Sequence, residues 1–486
     1  MEYLFINRGD VFNWVNATEF NKRDAICIID NEIKELIQYD VVETSTDDIV
    51  HAGLLFYDES SYRSCALASL NWHFLNPNSN QKTISWKATA HVLIFQKGIL
   101  SELQACEDYE LIHVQAADLA YQGLTRGATT FHNPLLLKSK SSFRNATNVS
   151  QYDEIRFVMR NLGRRNLLVV SPLTFLTSLF LKVNPLKKLP PIEETRITDN
   201  ELVKRIDLYT AIIPTINRYE YLNKAIHSLL QNERAPAEII VIDQTPIGKR
   251  VSGYYDEFSG QPVKVIYIDR AGQCTARNLA VQVASYEWLL LFDDDSIAWP
   301  EMMSEHIHLL EKSRADISTG ISLAPWKDRS YIGAALNFYH ISSVMDTGNC
   351  FIKKKAIEDV GMFDLAFDRG SGADDNLGKR LYLNGNVIVF NPKAIRTHYK
   401  ASSGGLRQHG AWWKNKGTLW GPLPLPTESY NFLIFYPHKS YLQLCFYKLL
   451  TSYRRCGKLQ SIVNTILFPW KVFQSYRKAQ ILLHEK

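Results

Sequence analysis

From Arg205 to about Tyr399, short β-branched runs alternate with segments whose apolar residues recur at helical spacing. That alternation predicts α/β units around a mainly parallel sheet. The first strand is expected at Tyr209–Pro214 and the next helix from Tyr219 to about Gln231, where Leu222, Ile226, Leu229 and Leu230 share one face. Strands follow at Glu238–Asp243 and Val263–Tyr267, then a helix after Gly272 running through Val283. The apolar run Leu289–Phe292 predicts a buried strand that ends abruptly in Asp293, Asp294 and Asp295. Beyond it lie a strand at Asn349–Ile352, a helix to about Val360, and a helix from Ala373 to Leu383 stopped by Asn384-Gly385.

Open parallel sheets bind ligands beyond the carboxyl ends of their strands. The residues there are Thr215, Asn217 and Arg218, then Asp243, then Arg270 and Gly272, then Asp293 to Asp295. Three adjacent carboxylates repel by several kcal/mol at low effective dielectric, so the cluster is expected to be solvated or neutralised by a divalent ion. Hard oxygen ligands favour Mg2+ or Mn2+, which commonly bridge to phosphate. Gly272 permits close backbone approach to an anion, and the following helix N-terminus and Arg277 add positive potential. A nucleoside diphosphate fits these groups together.

The ordered set Pro214-Thr215-Ile216-Asn217-Arg218, Asp243, Gly272 with Ala276-Arg277-Asn278, Asp293-Asp294-Asp295, Gly348-Asn349, Gly361-Met362-Phe363-Asp364, and Asp374 with Leu377 and Arg380-Leu381 resembles glycosyltransferase family 2 over roughly residues 207 to 400. The resemblance implies a GT-A fold and, in most members, inverting sugar transfer from a nucleotide sugar. It implies donor contacts from Pro214, Thr215, Asn217, Arg218, Asp243, Arg270, Gly272, Arg277, Asp293, Asp294 and Asn349. Asp243 would meet the base, and Asp293 and Asp295 would form the family's Asp-x-Asp pair for ribose and metal. His398 stands where some members carry a metal-reaching histidine. The family's general base aligns with Asp374, with the neighbouring Asp375 left open, and Ala373 replaces the usual Glu. Gln244-Thr245-Pro246 and Arg270 also depart from the family pattern, which bears on base and sugar identity.

With 486 residues the chain suits two or three domains. The expected division is a half-sized GT-A-like α/β domain at 1–150, a helical segment and linker at 151–200, the GT-A domain at 201–405, and a helical basic and aromatic region at 406–486. The first of these follows from a self-alignment at a shift of 258 that sets Ile94 on Ile352, Leu119 on Leu377, Gly127 on Gly385 and Asn133-Pro134 on Asn391-Pro392. At slightly larger shifts Ile6-Asn7-Arg8 resembles Ile268-Asp269-Arg270, and Ile28 to Glu32 resembles Leu291 to Asp295. Ala116 then stands at the place of Asp374, so this degenerate half is expected to be inert and to serve assembly or acceptor docking. Leu167–Val183 is interrupted by Ser, Thr, Pro and Lys, so it reads as a buried or interfacial helix, and the prolines of 184–191 mark a linker.

The formal charge is +5, but beyond Ser403 there are twelve Lys or Arg against two Glu, a net of +10. Aromatics interleave with those cations at Trp412-Trp413-Lys414, Phe446-Tyr447-Lys448, Tyr453-Arg454-Arg455, Phe468-Pro469-Trp470-Lys471 and Tyr476-Arg477-Lys478. This suits a membrane surface, with basic helices packed on the catalytic domain as the plain alternative, and it argues against nucleic acid. The seven Cys show no paired spacing, no secretory signal is visible, and the Asn-x-Ser/Thr matches at Asn16, Asn145 and Asn148 carry no expectation. A cytoplasmic protein, peripheral on the inner membrane face, is expected, and a homo-oligomer is left open. Its function is expected to be metal-dependent transfer of sugar to a glycan, lipid-linked or protein acceptor in surface polysaccharide or glycoconjugate synthesis. The rivals are a nucleotidyltransferase that makes a nucleotide sugar and a noncatalytic scaffold of glycan assembly.

Overall fold

The computed structural model describes residues 1–7, 12–58, 61–138, 147–187, 189–192, 205–334, 336–368, 370–401, 421–453 and 457–485. Arg8, Asn145, Trp412-Trp413-Lys414 and Arg454-Arg455 lie outside them. The chain divides into two compact units. One comprises 1–200 with 338–343 and 382–387, and the other 201–337, 344–381 and 388–486.

The second unit is built on a sheet whose strands lie, edge to edge, in the order Ser296–Ala298, Ile388–His398, Ile317–Leu323, Asn349–Lys353, Trp288–Phe292, Tyr209–Thr215, Glu238–Asp243 and Val263–Tyr267. The last four run parallel, as expected for apolar runs joined by helical crossovers. Asn349–Lys353 runs antiparallel to both of its neighbours. Leu289, Leu290, Leu291 and Phe292 are fully buried, so this strand is covered on both faces. The helix Tyr219–Leu230 buries Leu222, Ile226 and Leu229 of the stripe read from its sequence, with Ala225 beside them and Leu230 half-buried. The helices Gln273–Val283 and Ala373–Leu383 also begin and end where the pattern places them, and Gly385 takes the positive φ of +88° that stops the second. All polar strand ends therefore gather at one edge of the sheet.

The first unit holds a sheet in the order Glu2–Ile6, Ile26–Asp30, Val92–Phe95, Ile49–His51, Thr130–His132 and Thr83–Ile84. Its core includes Cys27, Ile29, Val50, Phe56, Val92 and Ile94, none of them more than 2% exposed. Four of its strands repeat the order and sense of Trp288–Phe292, Asn349–Lys353, Ile317–Leu323 and Ile388–His398: antiparallel, antiparallel, then parallel. The Asn-Pro positions repeat as well. Asn133 accepts from the Leu135 amide at 3.1 Å, and Asn391 accepts from the Lys393 amide at 2.9 Å. Gly127 and Gly385 share positive φ.

The stretch expected as one helix over Leu167–Val183 is two short ones, Leu167–Val170 and Pro172–Ser178. Ser171 accepts from the Thr174 amide and Pro172 occupies the first turn, so the chain caps and restarts there.

Candidate active site

Asp293, Asp294 and Asp295 follow strand Trp288–Phe292 and point three ways. Asp293 accepts from Arg277 at 3.1 Å and from Arg396 at 2.8 Å. Asp294 accepts from Thr215 at 2.7 Å and Arg218 at 2.8 Å. Asp295 lies 3.3 Å from His398 Nε2 and accepts from the Ala401 amide at 2.8 Å. The counter-charge to the triple carboxylate is thus supplied by three arginines of the chain itself, where the sequence suggested solvent or a divalent ion. Three carboxylates so close need compensation, and buried guanidinium forks give it with defined geometry. Burial pushes Asp294 up to about 6 despite Arg218. Burial acts on Asp293 too, but Arg396 and Arg277 overcome it and hold that carboxyl well below the usual range.

A ligand set remains within this cluster. One atom each from Asp293, Asp295 and His398 lies within 4.8 Å of the others. Two carboxylate oxygens and one imidazole nitrogen form a donor set that suits Mn2+, and with water also Mg2+, so these residues fit the ion that the sequence implied.

Asp374 opens the helix Ala373–Leu383. It accepts from the Thr347 hydroxyl at 2.6 Å, and its field couples it to Arg277, Asp346 and Asp293. Thr347 adjoins Gly348, which packs against Asp293, so this bond brings Asp374 into the neighbourhood of the metal set. Burial pushes it up to about 6, against the lowering effect of Thr347 and Arg277. Its neighbour Asp375, left open as an alternative base, is engaged elsewhere. Asp375 accepts from Lys379 at 2.7 Å and Asn431 at 2.8 Å, since successive side chains on a helix diverge by about 100°.

Several residues expected to contact the donor have partners within the chain. Asn349 is fully buried, donates to the carbonyls of Ile321 and Ala394, and meets His306 Nε2 at 3.0 Å, so it locks strands together. Asp243 is also fully buried. It accepts from Tyr219 and Tyr255, each at 2.9 Å, and from the Thr245 amide. A base could reach it only by displacing a tyrosine. At Gly272 the anion is internal: Asp368 accepts from the Cys274 and Thr275 amides and the Thr275 hydroxyl at the helix N-terminus. A Cβ at Gly272 would come within 2.4 Å of that carboxylate, which explains the glycine without a ligand. Arg218 and Arg277, expected on phosphate, instead hold the acidic cluster. Arg270 is exposed, Pro214 half-buried, and Asn217 donates its amide to Thr245 from a positive φ of 53°.

Sequence reasoning missed Asp346 and Arg396. Arg396, 2% exposed, spans Asp293 and Asp346, and its Nη2 lies 3.0 Å from Asp346. Gly348 leaves room for it, because a Cβ there would come within 2.1 Å of Asp293 and 2.2 Å of Arg396. The one available signal was the position of Arg396 two residues before His398 on the same strand, which puts both on one face.

A mixed sheet with an acidic cluster at its strand ends, a ligand set and a half-buried carboxylate at the start of a following helix describes a GT-A type glycosyltransferase domain. Residues 210–361 match the family model of glycosyl transferase family 2. Asp374 and His398 lie beyond the matched span. An uncharacterized glycosyltransferase of Methanocaldococcus jannaschii is 24% identical over 111 residues, which cover 22% of this chain and 38% of that protein. Among solved structures, the mannosyltransferase PcManGT from Pyrobaculum calidifontis in complex with GDP-Man and Mn2+ aligns at 14% identity over 58% of this chain and 87% of its own, with a TM-score of 0.35. TarS of S. aureus aligns at 14% identity over 56% and 54%, with a TM-score of 0.36.

Proposed function

We propose that this chain is a metal-dependent, inverting glycosyltransferase that moves a sugar from a nucleoside-diphosphate sugar to a hydroxyl of a glycan, lipid-linked or protein acceptor. The observation that carries the reading is that the raised carboxyl of Asp374 shares one electrostatic cluster with Asp293, whose carboxylate joins Asp295 and His398 in the ligand set. Direct displacement needs a base on the acceptor side and charge stabilisation on the leaving side. Asp374 takes the proton from the attacking hydroxyl, and Thr347 fixes which way its carboxylate faces. Asp293, Asp295 and His398 would hold Mn2+ or Mg2+, which when bound supplies positive charge to the departing diphosphate. Arg218, Arg277 and Arg396 keep the acids ionised and in place.

The nucleotidyltransferase reading has no supporting group: the first strand leads into Ile216-Asn217-Arg218, with no Gly-rich phosphate loop.

The pH dependence tests the base. Asp374 must be ionised to act, so kcat/KM stays level above about 6 and falls roughly tenfold per unit below it. Thr347 lowers that pKa, so Thr347→Val moves the acid limb to higher pH. An acid limb unmoved by this change removes Thr347 from its positioning role.

We read the first unit as a degenerate half of the same fold, supported by the repeated strand order and the shared Asn-Pro bonds. Asn31 and Glu32 stand where the second unit has Asp294 and Asp295, so the pair Asn31→Ala and Glu32→Gln leaves turnover unchanged within about twofold. A hundredfold loss in a folded variant would show that this half takes part in the chemistry.

A further inference from the structure

The last two helices are amphipathic the wrong way round for water. Helix Phe468–His484 turns Lys471, Ser475 and Ala479 inward, where Lys471 donates to Asn464 at 2.7 Å and Ser475 meets Ser429 at 2.6 Å. Its outward side carries Trp470, Phe473, Arg477 and Ile481, spaced three and four apart, and Phe473 is 62% exposed. Helix Lys458–Ile466 repeats the inversion: it buries Asn464 and exposes Leu459, Ile462 and Ile466 at 71%, 57% and 70%. Helix Tyr441–Tyr453 is built the ordinary way, burying Leu444, Cys445 and Leu449, and leaves Leu442 71% exposed. The two long outward rows are consecutive in the chain, joined through Leu467 alone. A water-facing helix pair that gains its stability from burial would place these residues the other way. The arrangement is the one expected when the outward medium is apolar.

We propose that the outward face of helices Lys458–Ile466 and Phe468–His484 is a docking surface for an anionic lipid bilayer, with Leu459, Ile462, Ile466, Trp470, Phe473 and Ile481 entering the headgroup and upper acyl layer. Charge decides between a bilayer and a second copy of the chain. Among the described residues from 421 on, Lys439, Lys458, Arg477 and Lys478 lie at the surface against Glu485, and Glu428 is paired with Lys448 at 2.9 Å. Two such faces would repel each other, whereas phosphate headgroups complement both the cations and the aromatic rims. No helix among the described residues is long and apolar enough to cross a membrane, so contact is lateral. The proposal does not depend on the sugar-transfer reading.

The test is co-sedimentation of the full chain with vesicles of phosphatidylcholine alone and of phosphatidylcholine with about one third phosphatidylglycerol. Binding is expected to the anionic vesicles, to weaken by at least tenfold in high salt, and to be lower on neutral vesicles. The exposed triple change Ile462→Ser, Trp470→Ser and Phe473→Ser is expected to cut binding at least tenfold while circular dichroism and thermal midpoint stay as in the unaltered chain. Arg477→Glu with Lys478→Glu is a second variant that leaves the apolar row in place and is expected to abolish the preference for anionic vesicles. Absence of vesicle binding by the unaltered chain overturns the proposal. So does a dimer that the triple change dissolves while vesicle binding is untouched, which would make the occupant a second copy.

Discussion

Asp374→Asn lowers turnover by about 10^2 to 10^4 and leaves donor affinity nearly as it was. The asymmetry follows from the position of the residue. Asp374 bonds to Thr347 and makes no bond to the Asp293, Asp295 and His398 set, so losing its charge removes a proton acceptor and leaves the ligand atoms where they are. The Asn side chain keeps the volume and can still meet the Thr347 hydroxyl through its carbonyl, so folding is retained. Steady-state kinetics with a matched donor titration, read by thermal shift, separates the two quantities. A variant with ordinary turnover would remove Asp374 from the chemistry. Asp375 would not inherit the role without first leaving Lys379 and Asn431.

Asp295→Asn acts on the other side of the reaction. It takes the charge from one of three ligand residues and weakens the acceptor for Arg218 and the Ala401 amide. Turnover is expected to fall by about 10^3, which is the several kcal/mol a bound cation contributes to charge stabilisation. Chelation by EDTA should reproduce that loss in the unaltered chain, and added Mn2+ should restore it there but only partly in the variant. Unlike Asp374→Asn, this change should also weaken donor binding, because the diphosphate and the ion are held together. Equal turnover with and without chelator would leave the ligand set without a function.

The elements of the second unit were legible because its strands and helices obey the simplest rule, periodic burial. Each strand end could be read off Thr215, Asp243 or Asp293, and the helix that carries Asp374 off its periodic apolar residues. What could not be read was which polar group answers which. Asn349 and Asp243 carry the same chemistry as true ligand contacts, yet one ties strands and the other is closed by Tyr219 and Tyr255. Asp368 and its partners Cys274 and Thr275 are more than ninety residues apart in sequence, so nothing local tells that the helix N-terminus is already filled. Arg396 was overlooked for the same reason: its partners Asp293 and Asp346 come from other strand ends, and only the folded sheet brings them to it. The break at Ser171-Pro172 was different, since the cap and the proline were both visible and signalled a restart.

The central claim is that one pocket joins a divalent ion, a donor diphosphate and the carboxylate of Asp374. Release of nucleoside diphosphate from a panel of nucleotide sugars, measured on the full chain with Mn2+ and with EDTA, tests it most directly. The account predicts release from one or a few donors, accelerated by acceptor and dependent on the cation. Release that continues undiminished in EDTA, or pyrophosphate formed from a nucleoside triphosphate and a sugar phosphate, would contradict it.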